Sequence, residues 1–410
     1  MKTSIEPMSA RDNEELPLSR RHVPALDGLR GVAILGVLFY HFAFSMAGRG
    51  PVDATAKVLL RSGWLGVDLF FVLSGFLITG ILIDARGSEG YFRTFFARRS
   101  LRIFPLYFLS VGALVFALHV AIPALTGRAT PPGAVWPLWT YLTNFAVAMR
   151  GDWSAVPFYG IHFWSLAIEE QFYLAWPIVV YLCTPRTLLR VCISAIVGSV
   201  LIRLAMFAFD VPAVALYVLP FTRLDSLGCG ALLAVAARDA RLASTIRPML
   251  RGAAPVAVAS LVLFTLWRGQ LENLDPVALV VALPLAAVVA AHVVLARFER
   301  AGSNDLADRM LSSRPLRMFG RYSYALYVIH YPLRAIFDPL SARYLQFTVL
   351  GSELPARTLY FALAIGTSLA LAWLSWHVVE RPFLRLKDRV HPRSDRQAAA
   401  MPSGAVATIP

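Results

Sequence analysis

Charge is scarce in this 410-residue chain: 16% of its residues are Asp, Glu, Lys or Arg, against 57% hydrophobic side chains and a mean hydropathy of +0.60. A soluble domain carries roughly 25% charged residues, so an ordinary water-solvated surface is excluded and the main solvent is lipid. Cysteine is scarcer still. Cys183, Cys192 and Cys229 are odd in number, fall in apolar runs and have neither paired nor metal-ligand spacing, so no disulfide framework and no metal site is expected. They read as small buried hydrophobes. Acidic residues number 25 against 39 basic ones, a net charge of +14. The basic residues sit between apolar runs and do not gather in one patch beside aromatic or polar readers, which excludes nucleic acid as a partner. Repeats and low-complexity tracts are lacking. The first thirty residues contain no short apolar core followed by a small-residue cleavage site; polar, and holding Pro7, Pro17, Arg20 and Arg21, they read as a retained cytoplasmic tail.

What the chain has in quantity is apolar runs of about 20 residues, the length that spans a bilayer. The runs predict an all-α polytopic membrane protein with about ten helices, at 29–47, 64–83, 102–122, 162–183, 190–209, 213–236, 253–267, 276–296, 319–337 and 357–380. The stretch 134–149 is apolar but short and interrupted by Pro137, and reads as an interfacial or re-entrant piece. With ten spans, most Lys and Arg fall in alternate loops on the side of the N-terminus, which places both termini in the cytoplasm. Arg203, Arg223 and Arg334 lie within spans.

Ionisable groups inside a span are expensive unless paired or hydrated, so each one needs a reason. In LDGLRGVAILGVLFYHF, residues 26–42, Arg30 and His41 are eleven residues apart, about three turns and roughly 16 Å along one helix face. Arg30 falls near the cytoplasmic surface and His41 deeper, toward the outer half. An imidazole with an ordinary pKa near 6.5 suits a general base that takes a proton from an attacking hydroxyl; the alternative is a neutral ring bonded to a neighbouring helix. In FFARRSLRIFPLYF, residues 95–108, Arg98, Arg99 and Arg102 make a basic turn. Arginine forks bind phosphate well, although positive-inside anchoring alone accounts for such a turn. In FWSLAIEEQFYLAWP, residues 163–177, Glu169 and Glu170 are adjacent and point in different directions, with Ser165 one turn before Glu169. One carboxylate is expected to pair with an arginine or orient His41, the other to contact a hydroxylated substrate.

Arg223 and Asp225 suit a structural ion pair or a lining, substrate-binding role. Asp68 lies at the outer end of the second span, where Ser74 and Gly75 permit close helix approach. His330, in GRYSYALYVIHYPL, is a second imidazole at depth, with nothing in the sequence paired to it. Trp376, His377, Glu380 and Arg381 close the tenth span as interfacial anchors.

LDGLRGVAILGVLFYHF, GWLGVDLFFVLSGFLIT, RRSLRIFPLYFL, FWSLAIEEQFYL, RLDSLGCGALLA, GRYSYALYVIHYPL and HVVERPF occur in this order over about residues 23–386. This series resembles the acyltransferase-3 family of inner-membrane O-acyltransferases. The resemblance implies a transmembrane domain over 23–386 between polar tails at 1–22 and 387–410. It also implies transfer of an acyl group, often acetyl, from cytoplasmic acyl-CoA to a hydroxyl of a glycan, lipid-linked sugar or small natural product. The family's Arg-x10-His pattern falls on Arg30 and His41, its Arg-x-x-Arg pattern on Arg99 and Arg102, and its glutamate on Glu169 or Glu170. Many relatives append an SGNH-type hydrolase domain, which this chain is expected to lack.

Both lines of reading give one route. Polyanionic CoA stays at Arg30, Arg98, Arg99 and Arg102 while its pantetheine arm presents the thioester to His41, with no metal involved. The acceptor is a surface glycan or lipid-linked sugar, or else a small molecule such as a macrolide. A reading from another class, a transporter or flippase using the same polar residues without chemistry, fits ten helices with intramembrane charges as well.

Overall fold

The computed structural model describes residues 22–127 and 133–386. The tail expected over 1–22, save His22, and the tail at 387–410 lie outside the described residues. Among these the chain is almost wholly helical, without a named strand. The helices that position the site are α1 (Pro24–Phe42), α2 (Pro51–Arg61), α3 (Gly66–Asp84), α4 (Tyr91–Phe116), α5 (Phe163–Leu182), α6 (Pro185–Ala208), α7 (Ala213–Val218), α8 (Leu224–Ala236), α9 (Ala240–Arg268), α10 (Pro276–Glu299), α11 (Arg314–Arg321), α12 (Ser323–Tyr344) and α13 (Leu354–Ser375).

Among the described residues, seven helical stretches are long and apolar enough to cross a membrane: those built on α1, α2–α3, α4, α6, α9, α10 and α13. The three other expected spans fall on helices that carry polar groups or a break: α5 with its two glutamates, α12 with His330 and Arg334, and the pair α7–α8. The single helix expected over 213–236 is interrupted between Val218 and Leu224 by a short turn at Pro220–Thr222, because Pro220 has no N–H to continue the ladder. The seventh span begins well before residue 253. Asp239 caps α9 by accepting from the N–H groups of Arg241 and Leu242, and apolar patterning alone does not register such a start. Residues 134–149 form two short helices, Trp136–Trp139 and Thr143–Arg150, held to α4 by the Tyr107 hydroxyl donating to Leu138 O at 2.6 Å.

Small residues let the inner helices touch backbone to backbone. A Cβ on Gly28 would stand 1.8 Å from Leu311 O, one on Gly320 1.8 Å from Asp27 O, and one on Gly75 2.0 Å from Leu227 O. Without a hydrophobic force between helices in lipid, such close approach is a main source of association. It clamps α1 against α11 and α3 against α8. The breach between α7 and α8 is closed by buried charge. Arg203 on α6 donates to Asp225 Oδ2 at 2.5 Å and to Thr222 O at 2.7 Å, and Arg223 donates to Asp68 Oδ1 at 2.9 Å. The Arg223 guanidinium also lies over the rings of Phe71, Trp164 and Tyr217. Apolar side chains such as Leu109, Phe116, Leu201, Leu263 and Val378 face outward, as a lipid-solvated surface requires.

Candidate functional site

Three cavities adjoin through shared walls. The first, of about 1030 Å3, is a vestibule at the end where α1 begins. Arg30 from α1, Arg98, Arg99 and Arg102 from α4, and Arg314, Arg317 and Arg321 from α11 line it. Three carboxylates, Asp27, Asp84 and Glu380, share this space with seven guanidinium groups, so the vestibule favours an anion. Arg321 is held by stacking, its guanidinium 5.0 Å from the Trp376 ring centroid, and Trp376 and Glu380 sit in a widened π turn.

Arg30, Arg99 and Arg102 also border the second cavity, a passage of about 100 Å3 that holds Ser74, Ser165, Glu169, Tyr173, Tyr324 and Tyr327. Hydroxyl pairs fix its walls. Ser74 and Tyr173 meet at 2.5 Å. Tyr327 donates to His162 O at 2.7 Å, so in its 2.5 Å contact with Ser165 the serine is the donor. The Arg99 guanidinium lies over the rings of Phe95 and Tyr173.

The third cavity, of about 260 Å3, shares Val67 and Tyr327 with the passage. It is lined by His41, His162, Arg61, Glu272, Asn273 and Arg334 among the aromatic rings of Tyr40, Phe44, Trp64, Trp153, Phe158, Trp164, Tyr217 and Tyr331. His41 Nδ1 lies 2.9 Å from His330 Nε2. Arg61 pairs with Glu272 at 3.4 Å, and Arg334 with Asp338 at 2.8 Å. Pro332 offers no N–H to the carbonyl of Val328, and His162 Nε2 lies 3.4 Å from that oxygen.

The sequence-derived candidates therefore separate into groups. Arg30, Arg98, Arg99 and Arg102 converge on the vestibule; Ser165 and Glu169 face the passage; His41 opens on the third cavity. Glu170 borders none of the three and lies within electrostatic reach of Tyr107, Tyr141 and Tyr324. The expectation that a glutamate orients His41 is corrected, since the ring's hydrogen-bond partner is His330. Arg223 and Asp225, 0% and 1% exposed, border none of these cavities; each is bound into an ion pair, so the structural reading replaces the substrate-binding one.

The profile of a family described as "Acyltransferase domain" matches residues 23–377, which include the whole lining of the passage and the third cavity and, save His22, Glu380 and Leu384, that of the vestibule. The chain belongs to this acyltransferase family. It is 27% identical over 389 residues to the peptidoglycan O-acetyltransferase OatA of Listeria monocytogenes, covering 89% of this chain and 56% of that protein. It is 28% identical over 337 residues to the O-acetyltransferase OatA of Staphylococcus aureus, covering 77% of this chain and 51% of that protein. The chain thus spans about half the length of the curated relatives it matches. No solved structure matches it.

Within this acyltransferase, sequence reading passed over one set of residues and left another without its partner. Arg314, Arg317 and Arg321 were legible in principle, because spacings of three and four put them on one face of a helix. His330, by contrast, gains its meaning only from a partner 289 positions away, which no local pattern reports.

Proposed function

We propose that this chain is a membrane-embedded O-acyltransferase that moves an acyl group, acetyl in the first instance, from acyl-CoA to a hydroxyl of a cell-wall glycan. The observation that carries this reading is the series of three adjoining cavities, with seven arginines at one end and His41 at the other. Arginine forks suit the nucleotide phosphates of CoA, and the vestibule has room for them. The passage is too small for a nucleotide and suits a pantetheine arm. Arg30 and His41 stand eleven residues apart on one helix, roughly 16 Å, a span that such an arm bridges. The donor thioester then arrives beside His41 while its phosphates stay at the basic end.

His41 takes the proton of the acceptor hydroxyl as that oxygen attacks the thioester carbonyl. The C–S bond breaks, the electron pair leaves on sulfur, and the proton returns to the CoA thiolate. Aromatic rings beside the Arg61–Glu272 pair and Asn273 suit a sugar, which offers apolar faces and hydroxyl edges. The names of the relatives support a peptidoglycan-type acceptor. The excess of arginine at the vestibule supports placing that end in the cytoplasm of the inner membrane, with both termini on that side.

The test is release of free CoA by the detergent-purified chain supplied with acetyl-CoA, with and without a glycan extract of the host cell wall, beside the His41→Ala variant. Release that requires both His41 and the extract supports the reading. No release from folded protein with a complete extract and acetyl-, propionyl- or succinyl-CoA overturns it and returns the cavities to a transport role.

A further inference from the structure

The bond between His41 Nδ1 and His330 Nε2, at 2.9 Å, joins two imidazoles, and a neutral imidazole has one donor and one acceptor nitrogen. The direction of the bond is fixed one step back along α12. His330 Nδ1 lies 3.0 Å from the carbonyl oxygen of Leu326 and 2.9 Å from that of Tyr327. Carbonyl oxygens only accept, so His330 carries its proton on Nδ1 and a lone pair on Nε2. The proton shared with His41 therefore belongs to His41 Nδ1. His41 Nε2 is left with a lone pair and no hydrogen-bond partner among the described residues, on a side chain that opens into the third cavity. His330 itself is wholly buried and enclosed by the rings of Phe42, Tyr327, Tyr331 and His162, so it has no freedom to reverse the arrangement.

We infer that His330 is a positioning residue: it holds His41 in the Nδ1–H tautomer, so that the basic nitrogen Nε2 faces the third cavity and takes the acceptor's proton there. This rests on the acyl-transfer reading of the site and deepens it. Proton uptake on Nε2 leaves the Nδ1–H donating to His330 as before, so the imidazolium forms without rearrangement of its support. The proton then passes from Nε2 to the departing CoA sulfur, restoring the starting tautomer. The inference also assigns a side to each substrate. The donor comes through the passage from the vestibule, and the acceptor hydroxyl occupies the third cavity, at the far end from the phosphates.

The decisive measurement is the 15N spectrum of histidine-labelled, detergent-purified full chain, with the His41 ring signals identified by their loss in His41→Ala. The expected result is a protonated Nδ1 and a bare Nε2 on His41. His330→Phe keeps the ring volume but cannot accept; it should shift His41 toward the Nε2–H tautomer. It should also lower kcat for CoA release about 100-fold, the lower end of a general base's contribution, with the KM for acetyl-CoA unchanged. His330→Gln, whose side-chain oxygen accepts from Nδ1, should restore kcat to within about 10-fold of the native chain. A native His41 protonated on Nε2, or a His330→Phe chain with native kcat, overturns the inference. Should His330→Phe fail to fold, the native spectrum and the Gln variant still decide. If CoA release is absent altogether, the acyl-transfer reading fails by its own assay while the spectrum continues to report the tautomer.

Discussion

Two regions of this protein set charge among its apolar helices, and they do it in opposite ways. Around the break between α7 and α8, Arg203 and Arg223 are matched one for one by Asp225 and Asp68, and all four side chains are at most 1% exposed. In the vestibule and passage, arginines outnumber carboxylates, and Arg30, Arg99 and Arg102 border open space. A buried charge matched by its counter-charge leaves no net excess to draw a ligand. Its role is to close the polar gap that a broken helix opens in lipid. An excess of cations around a void leaves a positive potential that favours an anion there. Charge at depth alone thus says little about function; the balance of charge around a cavity says more.

The sharpest break of this contrast is at the open region's far end. His41→Ala should lower acyl transfer by about 100- to 10,000-fold, the range of a lost general base, while the unfolding midpoint in detergent stays at the native value. In the sealed region the effects should exchange places. Asp68→Ala leaves the Arg223 guanidinium buried without its carboxylate, which destabilises by about 3–5 kcal/mol, read as a lower unfolding midpoint. Adding Arg223→Met to Asp68→Leu should recover more than half of that loss, because two apolar groups no longer need each other. A double variant as unstable as Asp68→Ala would show that the pair does more than balance charge.

How much of this contrast is legible in the sequence depends on whether the partners share a helix. Arg30 and His41 share α1, and Arg99 and Arg102 share α4, so helical spacing places them correctly. The adjacency of Glu169 and Glu170 forces them apart, and they do part: Glu169 lines the passage, and Glu170 borders none of the three cavities. Gly75 is legible as a close-contact site and meets Leu227 O. What stays hidden is every pairing between distant segments: Asp68 with Arg223, Arg203 with Asp225, His41 with His330. The break at Pro220 is hidden for another reason. Apolar runs flank it closely on both sides, so hydropathy averaged over a span reads one helix where the backbone makes two.

Next in size are the vestibule arginines. Arg99→Ala or Arg102→Ala removes a charge-assisted contact of about 1.5–3 kcal/mol, which corresponds to a rise of about 10- to 150-fold in the KM for acetyl-CoA, with the unfolding midpoint little changed. Arg317→Gln, on α11, should raise KM about 3- to 10-fold, the smaller effect of a more open contact. Equal effects from the two helices would assign the phosphates to α4 and α11 alike.

The smallest expected effect lies at the rim. His22 Nε2 is 3.0 Å from Asp27 Oδ2, and that hydrogen bond holds the His22 imidazolium above the usual histidine range. A raised value means that the cation is present at lower pH and fades as pH rises through it. His22 borders the vestibule, so its positive charge adds to the field that an anionic donor meets. The KM for acetyl-CoA should therefore climb as the medium is taken from neutral to mildly alkaline, by no more than about threefold, since the ring is largely exposed and screened. His22→Asn should flatten this dependence without altering kcat, because the ring stands at the opposite end of the route from His41. A slope that survives the substitution would assign the titration to another group in the vestibule, and the comparison of the two regions would then turn on that group's place among the arginines.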